Sequence, residues 1–195
     1  DHGDTIDLTG GVIQVTYDDN TTEDIDMTDP AVTIKTGSPA DVNDPNVKLE
    51  YKGQETTFNI TVNDPIQSLS VATPMTQGEY DHGDTLNFAG LTLAAVTKSG
   101  ATKTITNTTP GLAISETQAD VNSPNFTKIT GTSNVEVKGT QIIKFTYDGK
   151  TAQQTIIVND RISSVNIVTQ PNKTAIKYGE ALDLTGATVK ITLAS

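Results

Sequence analysis

The chain has 195 residues, 24 acidic and 13 basic, for a net charge of −11; such a surface repels phosphate backbones and anionic lipid head groups, so neither nucleic acid nor a membrane is expected as a partner. Cysteine is absent, which excludes a disulfide-stapled secreted module, and no apolar run approaches the roughly 18 residues of a membrane-spanning helix. Hydrophobic residues make up 34% of the chain, and β-branched Thr and Val stand where Leu and Ala are more usual, a bias toward pleated sheet.

One motif recurs: DHGDTIDLTG at 1–10, DHGDTLNFAG at 81–90 and KYGEALDLTG at 177–186, so the chain reads as part of a tandem array. The first copy opens at residue 1, inside its own repeat, and targeting signals are expected outside this stretch. After it, Ile13, Val15 and Tyr17 alternate with Gln14 and Thr16, the period of a half-buried strand. Asp18-Asp19-Asn20 supplies a turn, and Glu23–Met27 a short return strand. Val47, Leu49 and Tyr51 alternate with Lys48, Glu50 and Lys52; Gly53 turns the chain into a partner strand bearing Phe58, Ile60 and Val62. Pro65 cannot donate to a ladder, so the sheet should end or change hands there, and Ile66–Ala72 opens a fresh strand.

The second repeat follows the same plan. Ala40–Asn46 returns 79 residues later as Ala119–Asn125, whereas Tyr51-Lys52-Gly53 returns 96 residues later as Tyr147-Asp148-Gly149, which places an insertion of 17 residues between Asn125 and Gly149. Phe126–Thr130, a Gly131–Asn134 turn and Val135–Lys138 read as an added hairpin, at about 126–141. The terminal hairpin recurs at 142–147 and 155–160, and a third repeat runs from Ile162 through the strand at Val189–Leu193. Helical periodicity is scarce.

The His/Tyr-Gly-Asp/Glu turn, the Leu-Asp-Leu-Thr-Gly step, the strand Val15-Thr16-Tyr17 with its acidic turn, and Tyr-x-Gly-Lys/Gln followed by a strand ending Val-Asn-Asp resemble the group 3 bacterial immunoglobulin-like domains, repeated on surface proteins of Gram-positive bacteria, among them mucus and cell adhesins of lactobacilli. The resemblance covers the chain as one nearly complete repeat flanked by two partial ones. It implies an all-β fold of two tandem Ig-like β-sandwich modules, 1–80 and 81–195. Because the two ends would otherwise be orphan half-repeats, the structural unit is expected to be offset from the sequence repeat. Residues 66 to about 97 would then complete the first sandwich and 162–195 the second, with 81–97 common to both. The function implied is an extracellular, wall-anchored adhesin repeat with host mucin or an epithelial glycoprotein as partner; the alternatives are an inert spacer of a surface-layer protein or an accessory module of a cell-wall enzyme.

Site candidates are sparse. Asp18, Asp19, Asp41 and Asp44 crowd oxygens on turns and are the candidate Ca²⁺ ligands, although the Gly and Glu spacing of an EF-hand is missing and solvated turns suit the same residues. His2 and His82 each precede an Asp by two residues, an imidazole and carboxylate that would suit Zn²⁺, but the third copy has Tyr178 there. Five Asn-x-Ser/Thr triplets, at Asn20, Asn59, Asn107, Asn125 and Asn172, are what chance provides in so Thr-rich a chain. No nucleophile elbow and no Ser–His pairing is visible, so no catalysis and no cofactor are expected. Lys144 falls on the polar face of its strand, against an internal Lys-to-Asn crosslink. Ligand contact is expected on the inserted hairpin, through Phe126, Lys128, Asn134 and Lys138.

Overall fold

A computed structural model describes residues 1–129 and 137–195, and among these there is no helix. Fifteen strands follow in order: β1 (Val12–Thr16), β2 (Thr22–Asp26), β3 (Val32–Thr36), β4 (Asn46–Tyr51), β5 (Gln54–Asn59), β6 (Ile66–Thr73), β7 (Glu79–Asp81), β8 (Thr92–Thr97), β9 (Thr102–Thr106), β10 (Ala113–Ile114), β11 (Phe126–Lys128), β12 (Val137–Tyr147), β13 (Lys150–Asp160), β14 (Ile162–Thr169) and β15 (Thr188–Leu193). The fold is all-β, an Ig-like β-sandwich. The chain divides into two compact units, residues 1–68 with 95–103 and residues 69–94 with 104–195. The sequence boundary at 80/81 lies inside the second.

In the first unit β1 and β2 form a two-stranded antiparallel sheet and β3, β4 and β5 a three-stranded one. Alternation decides which side is wet: along β4, Val47, Leu49 and Tyr51 are buried while Lys48 and Glu50 are only partly covered. Ile25 of β2 and Ala40 join this core. The turn after β1 holds Asn20 at φ 62°, a left-handed conformation that Asn tolerates.

In the second unit β12 and β13 are long, 11 residues each, and lie between β10 and β7 in the order β10-β12-β13-β7, with β11 also paired to β12. A further three-stranded sheet of the chain, not confined to this unit, has the order β6-β8-β9. In the core of the second unit Leu93, Ile143, Phe145 and Val158 are wholly inaccessible, and the rings of Phe88 and Phe145 meet edge to face at 6.4 Å. Lys144 is exposed, between the buried Ile143 and Phe145, as alternation required.

β14 and β15 pair with each other, and residues 162–195 fall in the second unit although none of them is buried. The strands beside β8 are β6 and β9, and of the segment 66–97 only 66–68 and 95–97 group with the first unit. β6 follows directly on Pro65 and pairs with β8 of its own repeat.

The repeat alignment makes Val189 of β15 the counterpart of Leu93 in β8, yet Val189 is 57% exposed and Leu93 is 0%. Leu93→Ala should therefore cost about 2–5 kcal/mol of stability, whereas Val189→Ala should change it by no more than about 0.5 kcal/mol; urea unfolding of the two variants checks this.

Candidate functional site

The recurring motif is a latch. Gly3, Gly83 and Gly179 all hold positive φ, 80°, 88° and 82°, which a side chain would strain. In the first copy the Gly3 N–H donates to Ala40 O at 2.7 Å and the Ala40 N–H returns to Asp4 O at 2.8 Å; in the second, Gly83 donates to Ala119 O at 2.8 Å and Ala119 to Asp84 O at 2.9 Å. The histidines serve this latch. Nδ1 of His2 accepts the Val42 N–H, and Nδ1 of His82 the Val121 N–H, each at 3.3 Å. One ring nitrogen of each is thus already committed to the backbone. Asp41 and Asp120 lie 3.6 and 3.4 Å from the same nitrogens. Nothing in the strand pattern pointed to this role; the signal was the near-equal spacing of His2 from Val42 and of His82 from Val121, 40 and 39 residues.

The four calcium candidates occupy two turns, Asp18 and Asp19 in one and Asp41 and Asp44 in the other, and Asp19, Asp41 and Asp44 use their oxygens locally. Asp19 Oδ1 accepts from the Thr21 N–H and hydroxyl, Asp41 Oδ1 from Asn43, and Asp44 Oδ1 from the Asn46 N–H. Asp18 lies exposed beside Asp19. Among the described residues no group of three or more His, Cys, Asp or Glu side chains is placed to hold one ion.

Of the four hairpin candidates, Asn134 lies outside the described residues. Phe126 and Lys128 share one face of β11, opposite Gln141 and Gly139 of β12. Lys138, one residue along from Gly139, faces the other way and is paired with Glu79 at 2.9 Å. The structure therefore does not bring the lysines together. The Phe126 ring lies over Gly139, where an added Cβ would collide with it and with the Thr127 carbonyl oxygen.

Gln141 was missed. It is wholly buried on β12, its amide accepting the Asp120 N–H at 2.9 Å and donating to Gln118 O and to the Glu116 carboxylate. Glu116 also accepts from Ser123 and Asn125. This network ties the loop before β11 to the sheet.

A second repeated feature closes each repeat. Asp64 takes the Ser99 N–H on one oxygen at 2.8 Å and the Ser99 hydroxyl on the other at 2.7 Å, and the Lys98 N–H donates to Pro65 O. One repeat on, Asp160 Oδ1 accepts the N–H groups of Ala194 and Ser195, both at 3.1 Å, and Ala194 also donates to Arg161 O. Ser195 is the repeat counterpart of Ser99. The Lys-Ser turn at 98–99, which replaces the acidic turn of the first repeat, thus meets carboxylates: Lys98 Nζ lies 2.5 Å from Asp4. That bond, with a smaller contribution from the N-terminal amine, lowers the Asp4 carboxyl to about 2. The Ser99 hydroxyl, outweighing desolvation, holds Asp64 below the ordinary carboxylate value.

With this geometry in view, residues 2–62 match the family model of the bacterial Ig-like domain (group 3). No curated protein and no solved structure shows significant similarity to the chain.

Two outcomes follow. Both carboxyls are depressed in the folded state, so their contribution to stability is present above the unfolded value near ~4 and is lost as pH falls through the folded value, about 2 for Asp4. Lys98→Met should move the Asp4 titration part of the way back up, and Ser99→Ala that of Asp64, each read from carboxyl carbon shifts against pH. Gly139→Ala should destabilise the β11–β12 hairpin by about 1–3 kcal/mol, because one of the two contacts is backbone that cannot swing aside; hydrogen exchange at Phe126–Lys128 reads it locally.

Proposed function

We propose that the chain is repeat region of a bacterial cell-surface adhesin, carried outside the cell and projecting from the wall, that takes part in attachment to host mucus or epithelial surfaces. The observation that carries this reading is the twofold use of one junction: the carboxylate ending a repeat, Asp64 or Asp160, accepts backbone N–H from just after β8 or β15, the strand that follows the next copy of the motif. A device that works twice in one chain suits an array, and an array turns weak single contacts into firm attachment through effective concentration. The match of residues 2–62 to a bacterial Ig-like domain supports the same setting. In this reading the chain performs no turnover and requires no cofactor.

Ligand contact would fall on the face of β11 bearing Phe126 and Lys128, since Lys128 is exposed and carries a charge opposite to that of the chain as a whole. A spacer reading draws on the same junctions, and binding decides between the two. The full chain passed over immobilised mucin should be retained more strongly than an unrelated acidic protein of equal charge. Because both partners are anionic, retention should rise from low to physiological salt as repulsion is screened. Retention equal to the control would leave the spacer.

A further inference from the structure

We propose that the open edge of β1, with the groove beside it in the first unit, takes up an extended segment of the pattern Ile66–Tyr80 as an added antiparallel strand. The argument is internal to the chain and does not depend on the adhesin reading.

Strands β1, β8 and β15 are the same strand in three repeats. β8 has a neighbour on either side, β6 and β9, whereas β1 has β2 alone. Tyr17 donates its N–H to Thr21 O and Met27 donates to Gly11 O, across β1 and β2. Alternation then turns the backbone N–H groups of Val12, Gln14 and Thr16 toward the other edge. That edge, Val-Ile-Gln-Val-Thr, has neither the charge nor the proline with which sheets ordinarily protect an edge.

Side chains tell the same story. Leu93 and Ala95 of β8 are wholly buried, yet their counterparts Ile13 and Val15 are only half-buried, and Tyr17 is 40% exposed. They line a groove of about 810 Å³ together with Met27, Tyr51 and Phe58. At the matching place in the second unit a segment of chain is present. The Met75 N–H donates to the side chain of Gln154, the counterpart of Phe58, and the Ile157 N–H donates to Gly78 O. Glu79–Asp81 then runs parallel to Ile157–Asn159. Met75 and Tyr80 are 4% and 3% exposed. The counterparts of Ile157–Asn159, Thr61–Asn63, lie beyond the end of β5, with no strand to pair with.

The register can be read from the third repeat, where the same two strands pair: Val165 lies opposite Ile191 and Ile167 opposite Val189. Transferred to the first unit, this sets the Leu69 position of the incoming segment against Val15 and the Val71 position against Ile13. Main-chain bonds would hold the strand, and alternate apolar side chains would select it.

The test uses the full chain, isotope-labelled, with a synthetic peptide of residues 66–80 supplied in trans, or with the same 15 residues joined ahead of Asp1. Amide exchange at Val12, Gln14 and Thr16 should slow by about tenfold or more with at least one of the two, and the peptide carrying Leu69→Asp and Val71→Asp should leave it unchanged. Unaltered exchange with both forms would overturn the proposal. So would protection that appears on β14 and β15 while β1 stays as it was, or equal protection by the substituted peptide.

Discussion

An Ig-like sandwich buries its core only when both sheets are present and the strand carrying the alternating apolar face has a neighbour on each side. The three repeats show that constraint at three degrees of completion. In β8 every second residue is sealed; in β1 the equivalent residues are half-covered; in β15 Val189 stands mostly in water. The sequences of the three strands are similar enough that intrinsic strand preference cannot account for the difference. What differs is the company each strand keeps, and at roughly 25 cal/mol per Å² of apolar surface that company supplies much of the stability. Repeat proteins in general behave this way, with each copy drawing stability from its neighbours.

Polar groups set the order in which repeats can follow one another. A carboxylate at the end of a strand is costly to bury alone, and Asp160 is 1% exposed. Two backbone N–H groups from 194 and 195 offset that cost at one oxygen, while at Asp64 a hydroxyl serves the second oxygen as well. The latch around Gly3 and Gly83 is the complementary device at the other end of each repeat, where a backbone exchange fixes the entry of the chain. Between them these short-range bonds determine where each repeat begins and ends.

Much of this could be read in the sequence, for physical reasons. Period-two alternation marked β4, β12 and β13 because one face of each is dry, and β1 because one face is at least half-covered. Turn chemistry at Asp18–Asn20 and at Gly53 marked the hairpins, and comparison of the two copies located the added hairpin beside β11. β7 and β10 escaped notice since they are three and two residues long, too short to show alternation, and their pairing is imposed by the strands they meet. The histidine latch and Gln141 were likewise invisible, because each acts on backbone groups some 20 to 40 residues away. The acidic turns were legible as turns; that Asp19, Asp41 and Asp44 each bond the backbone two residues on is ordinary for Asp and leaves them dispersed instead of converging.

The insertion shows how one copy can diverge without disturbing the plan. Gln141 supplies a buried amide that holds the loop before β11. The extended β12 then provides an edge on which β11 pairs, and Gly139 makes room for the Phe126 ring. Each step needs the one before it: without the amide the loop has no anchor, and without the longer strand β11 has no partner. A face of β11 bearing Phe126 and an unburied lysine is the result, present in the second repeat and absent from the first, and this asymmetry is where a contact specific to one repeat would arise.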